Sequence, residues 1–376
     1  MKLCPCCSGN LTIRKIFDHL PTSSAILNLE PNTNNNTANF EAAICNNCKH
    51  ITNVSNSRFD TVYSDQLYVL KTAVTNSMSA NLKLILDFIV RDKSDFSNFS
   101  ILEIGSGAGE IAMWFDQKRA DVHTVDPAIL GYKNSNINHH SINFDSNITN
   151  VLNKKFDLII CRHIIEHTED PSEFLGICNL LLNDNGKIYI EVPNLINTLT
   201  KFRLVDFFND HIQHFTENSL RLLGKKNHLY LENVKYLLND AHMGLMFHCN
   251  NNIDYINNPV EINIFKSLDE SEDKFREILK LMESTDKIVI YGAGAHSCTF
   301  ASQLSLEIKN KINHVFDRST SKQGRYLPGL EIPISLPVRE DIKDQQLVIN
   351  TSSLYTIEVE NFLLNELGWN GTILHL

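Results

Sequence analysis

Several things are missing from this sequence, and each absence excludes something. No apolar run reaches the ~20 residues that a bilayer-spanning helix needs, so no membrane segment is expected. The start, Met1-Lys-Leu-Cys-Pro-Cys-Cys7, lacks the apolar core of a secretory signal, and a cytoplasmic protein is expected. Basic residues are in deficit, with 34 Lys and Arg against 44 Asp and Glu and a net charge of -10. No basic cluster offsets this, so a broad electrostatic footprint for nucleic acid is not expected. What remains is ordinary for a globular protein, 43% hydrophobic and 21% charged, and 376 residues suffice for two or three domains.

Four of the nine cysteines fall as Cys4-x-x-Cys7 and Cys45-x-x-Cys48. In a reducing compartment, two such pairs predict a tetrahedral zinc site rather than disulfides. Each two-residue spacer lets a tight turn aim two thiolates at one ion. Cys6 is an alternative ligand to Cys7. Four thiolates leave no open position, so the site reads as structural. The Asn-rich stretch Asn32 to Asn39 is expected on a loop or hairpin between the pairs. Short strands are expected at Leu11 to Phe17 and Phe40 to Ile44, in a module whose modest core needs the metal as a staple.

The most informative stretch is Ile101-Leu-Glu-Ile-Gly-Ser-Gly-Ala-Gly-Glu110. Ile101 to Ile104 read as a buried strand, Gly105, Gly107 and Gly109 as a loop, and Glu110 onward as a helix. Asp126 closes the next apolar run, about 20 residues on, where a carboxylate accepts hydrogen bonds from ribose hydroxyls. The glycine spacing is tighter than the dinucleotide pattern G-x-G-x-x-G. Glu103-x-Gly105-x-Gly107-x-Gly109 instead resembles the first motif of class I methyltransferases, which bind S-adenosylmethionine (SAM). Strands at His123–Val125, Leu158–Cys161 and Lys187–Val192 alternate with helices, which predicts a parallel sheet covered by helices. Leu229–Leu237 and Gly244–Cys249 are candidates for its last strands.

Acidic Ser267–Ser284 reads as a linker helix, and a second strand-to-helix start follows at Lys287 to Ser297 with Gly292 and Gly294. Asn313–Asp317, Leu347–Asn350 and Gly371–Leu376 continue a smaller Rossmann-like unit. Its glycine loop serves either a ligand or tight packing. His163-Ile-Ile-Glu-His167 matches the H-x-x-E-H pattern of inverted zinc peptidases, but it directly follows a sheet strand and reads as pocket lining.

These pieces, in this order, resemble the SAM-dependent sugar C-methyltransferases of bacterial deoxysugar pathways. The similarity rests on the zinc cysteines, Glu103 to Gly109, Arg162-His163-Ile-Ile-Glu-His167, Glu191-Val-Pro193, and Phe316-Asp-Arg-Ser-Thr-Ser-Lys-Gln-Gly-Arg-Tyr-Leu-Pro-Gly329. The resemblance implies an α/β protein. It comprises a zinc-binding module (1–68), a SAM-binding class I methyltransferase domain (69–265) and a smaller C-terminal Rossmann-like substrate domain (266–376). SAM would be held by Glu103, Gly105, Ser106, Gly107, Gly109, Asp126, Arg162 and His163. A nucleotide-linked keto-sugar would meet Phe208, Asn209, His242, Arg325 and Tyr326.

The family's catalytic segment reads Tyr-x-Glu-His; here it is Phe208-Asn209-Asp210-His211, followed by Ile-Gln-His214. His211 is the expected general base, oriented by Asp210, with His214, Asn209, His242 or a water left to serve the enolate oxygen once the tyrosine hydroxyl is gone. A second departure is His242-Met-Gly, where the family has His-Gly-Gly-Ser. Alternatives are O- or N-methylation on the same scaffold, a non-catalytic SAM or sugar-nucleotide binder, and, disfavoured by the acidic balance, an RNA methyltransferase.

Overall fold

The computed structural model describes residues 3–23, 27–31, 36–55, 76–91, 93, 95–127, 132, 135–250 and 262–376. The expected boundary at 68/69 lies outside the described residues, as do Asn32 to Asn35 of the Asn-rich stretch.

The chain opens with an antiparallel hairpin, β1 (Leu11–Pro21) and β2 (Thr37–Cys45), extended by β3 (Ile51–Asn53). Both main strands run longer than local patterning suggests, because hairpin pairing continues as far as Pro21 opposite Thr37. This module does not depend on its own core alone. Phe17, Leu20 and Phe40 join one buried cluster with Leu204 and Phe207, with the helix Ile264–Glu283, and with Ile288 and Ile290 far along the chain. Arg14 ties the hairpin to that helix through 2.7 Å contacts with Asp269 and Glu272.

The central sheet is built from β4 (Ser100–Ile104), β5 (Asp121–Val125), β6 (Asn138–His140), β7 (Phe156–Arg162) and β8 (Leu182–Pro193). β9 (Gln213–His214) leaves it to pair with β3 of the N-terminal sheet. β10 (Tyr230–Leu237) and β11 (His242–His248) complete it. The order is β10-β11-β8-β7-β4-β5-β6, with β11 antiparallel to both neighbours. β4 is apolar except at Ser100 and Glu103 and fully buried, as a strand with parallel neighbours on both sides must be. The chain leaves β4 towards β5 and returns on its other side at β7. Their carboxyl ends therefore frame the crevice where doubly wound sheets bind ligands.

The helix Ile264–Glu283 is more than a linker. Its buried Ile264, Leu268, Ser271, Phe275, Ile278 and Met282 recur every three or four residues, forming one stripe against the shared cluster. The C-terminal sheet, β12 (Ile288–Tyr291), β13 (Ile312–Phe316), β14 (Ile334–Ser335), β15 (Leu347–Asn350) and β16 (Thr372–His375), is wholly parallel in the order β14-β13-β12-β15-β16. The architecture is α/β with a class I methyltransferase Rossmann-like sheet at its centre and a second, smaller Rossmann-like sheet at its end.

Candidate active site

A cavity of about 920 Å³ opens at the carboxyl ends of β4, β5, β7 and β8. Gly105, Gly107 and Gly109 all have left-handed backbone, at φ +67°, +52° and +74°. The missing Cβ atoms do more than admit a ligand. A Cβ on Gly105 would stand 2.1 Å from Ile164, and one on Gly109 2.2 Å from Tyr132. The loop is thus closed on by its own neighbours. The Tyr132 hydroxyl donates to Ser106 Oγ at 2.7 Å. The Gly107 N–H donates to Asp126 Oδ2 at 3.1 Å, which fixes the carboxylate at the cavity wall.

Glu103 is buried, and its Oε2 accepts from the Ala112 N–H at 3.0 Å, in the first turn of the helix Glu110–Gln117. Burial raises its carboxyl to about 7, although the Arg162 charge works in the opposite direction. Glu103 therefore anchors the helix whose amino end faces the cavity, and it lines that cavity as well.

Across the cavity, Glu191 is fully buried at the end of β8. Arg162 Nε donates to its Oε2 at 2.7 Å, and the Tyr189 hydroxyl to the same oxygen at 3.2 Å. Its other oxygen, Oε1, faces His163 Nε2 at 3.4 Å and His242 Nδ1 at 3.6 Å. The positive charges hold Glu191 well below the usual carboxylate range, even against complete burial. Its charge, with that of Glu166, outweighs burial at His163 and raises that imidazole to about 9. His163 also sits at φ +53°, a conformation a residue with a Cβ adopts only under constraint.

His211 lines the cavity beside His167, their rings edge to face with centroids 4.7 Å apart. His167 Nδ1 donates to the Asp210 carbonyl at 2.6 Å, and the residue lines the cavity. Burial and the surrounding histidines push His211 well below the usual imidazole range. That environment favours the neutral imidazole. The carboxylate gathered with it is Glu166: an oxygen of Glu166 and one ring nitrogen each of His167 and His211 lie within 4.8 Å of one another. Local sequence pointed to Asp210 for that place, because adjacency along the chain does not reveal a 3₁₀ turn (Ile165–His167) folding beside it.

Five expected contacts stand away from the cavity lining. The Asn209 amide clamps the N-terminal hairpin, donating to Leu20 O at 3.1 Å and Ala38 O at 3.0 Å. His214 packs on Phe40 and Phe207 and donates from Nε2 to the His211 carbonyl at 3.1 Å, so it supports His211 from behind. Phe208 covers the rings of His211 and His296 at 4.9 and 5.3 Å. Arg325 and Tyr326 belong to a C-terminal loop whose backbone bonds Ile334 and Asn28. The C-terminal unit reaches the cavity instead through Leu354 and Tyr355, just past β15.

The four cysteines expected to bind zinc converge. Cys4 and Cys48 sulfurs are 3.6 Å apart, Cys7 and Cys45 sulfurs 3.4 Å, and all four lie within 4.8 Å. A tetrahedron with Zn–S bonds of about 2.3 Å has edges of about 3.8 Å, so the set fits that ion.

Residues 73–234 match the methyltransferase-domain family and residues 262–350 the C-methyltransferase C-terminal domain family. The chain is 25% identical over 169 residues to the ubiquinone biosynthesis O-methyltransferase of Pasteurella multocida (strain Pm70), a match covering 40% of this chain and 66% of that one. It is 22% identical over 325 residues to the C-methyltransferase NovU of Streptomyces niveus, covering 79% of this chain and 76% of that one. Among solved structures, magnesium protoporphyrin IX methyltransferase (ChlM) from Synechocystis PCC 6803 with bound SAH aligns at a TM-score of 0.39 and 15% identity, over 48% of this chain and 90% of that one. The class is thereby set: the chain carries a SAM-dependent methyltransferase domain. More particularly, that domain is followed by a C-methyltransferase C-terminal domain.

Proposed function

We propose that this protein C-methylates a nucleotide-linked keto-sugar, with His211 as the base. The observation that carries this reading is a neutral imidazole lining the same cavity as the glycine loop, in a chain whose C-terminal unit matches the C-methyltransferase family.

A carbon becomes nucleophilic when a proton is removed beside a carbonyl. His211 takes that proton; Glu166, gathered with it, stabilises the imidazolium that forms. Asp126 holds the ribose of SAM, and Gly105 to Gly109 border its methionine part. When bound, SAM supplies an electrophilic methyl group. The negative charge on the enolate oxygen needs a partner that Phe208, lacking a hydroxyl, does not offer. His163 and His242 are the cavity groups left for it. Leu354 and Tyr355 close the sugar against the pocket, and the C-terminal unit takes its nucleotide. Cys4, Cys7, Cys45 and Cys48 hold a structural zinc ion.

O-methylation is the second reading, favoured by the likeness to the ubiquinone-pathway enzymes over the central domain. Incubating the protein with methyl-labelled SAM and keto-sugar nucleotides, then locating the label by NMR, separates the two. A new C–CH₃ is expected, abolished in His211→Asn while SAM binding persists. Label on oxygen, or near-normal turnover in His211→Asn, overturns C-methylation.

A further inference from the structure

We infer that His163, Glu191 and His242 form a second metal site, for a divalent first-row ion such as Zn²⁺ or Fe²⁺, in the wall of the cavity.

The first argument is spacing. Glu191 Oε1 is 3.4 Å from His163 Nε2 and 3.6 Å from His242 Nδ1. N–H···O bonds favour about 2.7–3.2 Å, so neither contact is a good one. Ligand bonds of about 2.0–2.1 Å in a tetrahedral site give edges of about 3.3–3.4 Å. The three donor atoms also lie within 4.8 Å of one another.

The second argument is what the atoms lack. Glu191 Oε1 and His242 Nδ1 are both buried without a hydrogen bond. Buried carboxylate oxygens seldom go without one. The unbonded atoms are the two that face each other, whereas Oε2 of the same carboxylate is fully engaged by Arg162 and Tyr189.

The third argument is the surrounding shell. Metal-binding histidines commonly give their second ring nitrogen to a carboxylate, which orients the ring and raises its basicity. His163 turns Nδ1 to Glu166 Oε1 at 3.3 Å and keeps Nε2 for the cluster. Arg162 and Tyr189 likewise fix the carboxylate and leave one oxygen for a single metal bond. The backbone reinforces this. The His163 N–H donates to the Glu191 carbonyl at 3.0 Å, and β11 starts at His242 opposite Pro193. The strained φ of His163 is thus fixed from both sides.

Two imidazoles and one carboxylate suit a borderline ion with open positions. Those positions face the cavity that Glu191, His163 and His242 all line. An ion there polarises a carbonyl oxygen as a Lewis acid, the role left open by Phe208. That role rests on the keto-substrate reading; the site itself does not.

The test is metal stoichiometry of the full chain, using Zn²⁺ and then Co²⁺, with no substrate present. Wild type is expected to retain two ions per chain. Cys45→Ser is expected to retain one, without thiolate-to-cobalt absorption. His163→Ala and His242→Ala are each expected to retain one, with the thiolate bands intact. A wild-type chain that holds a single ion, or histidine variants that still hold two, overturns the site. Glu191→Gln is avoided as the sole probe, since Arg162 would then be buried without its partner. Two ions bound with no methylation of any keto-sugar would leave the metal site standing and count only against the substrate reading.

Discussion

His296 Nε2 lies 3.0 Å from Asp206 Oδ1, joining the first turn of the C-terminal glycine-loop helix (Ala295–Ser302) to the segment that leads into Phe208 and His211. Asp206 also takes Arg203 at 2.9 Å and Thr198 at 2.7 Å, and these partners hold its carboxyl far below the usual range despite burial. The His296 ring stacks near Phe208, which covers His211. The C-terminal unit therefore holds the His211-bearing segment in place.

His296→Ala should reduce turnover while leaving SAM affinity unchanged. In a cycle with Asp206→Asn, the two stability losses should fall short of additivity by about 0.5–3 kcal/mol. Chemical denaturation of the four proteins checks this; simple additivity would show that the contact carries no coupling.

Asp126→Ala should weaken SAM binding by roughly 1.5–3 kcal/mol, the range for hydrogen bonds to a charged group. It also leaves the Gly107 N–H without its carboxylate. Calorimetry with an unchanged affinity would remove Asp126 from the SAM site.

Gly105→Ala combines a left-handed backbone with a Cβ placed 2.1 Å from Ile164 Cδ1. A loss of about 1–3 kcal/mol is expected from backbone strain and displacement of Ile164. Pairing it with Ile164→Ala should recover part of the loss if the clash matters, and none if only φ does. Thermal melts of the single and double variants decide.

Glu103 gives a pH signature. Its carboxyl is raised to about 7 by burial, above its ordinary value in the unfolded chain. The folded state holds the proton more tightly, so this contribution is complete below the ordinary carboxylate range and is lost as pH rises to about 7. Its size is on the order of 3 kcal/mol. Glu103→Gln should flatten that part of the stability profile, as read from urea midpoints between pH 4 and 8. An unchanged profile would mean Glu103 is ionised in the folded protein.

What was legible in the sequence was what repeats locally. The run Leu347–Asn350 announced its strand from apolar content alone, and Gly105 to Gly109 marked a turn that only left-handed backbone can make. The gathering of Cys4, Cys7, Cys45 and Cys48 was legible from the spacing of the two pairs. His211 was found through resemblance, not through any pattern around it. The meeting of Glu166 with His211 and the reach of Leu354 to the cavity were not legible, because both come from packing across distances that periodicity does not encode. Asn209 and His214 misled for the same reason. Asn209 gives its amide to the hairpin and His214 its Nε2 to the His211 carbonyl, bonds that local sequence does not show.

The pairing of β3 with β9, Ile51 opposite His214 and Thr52 opposite Gln213, sets His211 just ahead of a strand that belongs to the sheet of the cysteine module. Residues about 160 positions apart must meet before His211 has a fixed place, so its position depends on a contact of long range. A central domain grafted onto another relative's N-terminal module would inherit its SAM pocket but not the position of its base. The three parts are therefore expected to diverge together, as one unit of inheritance.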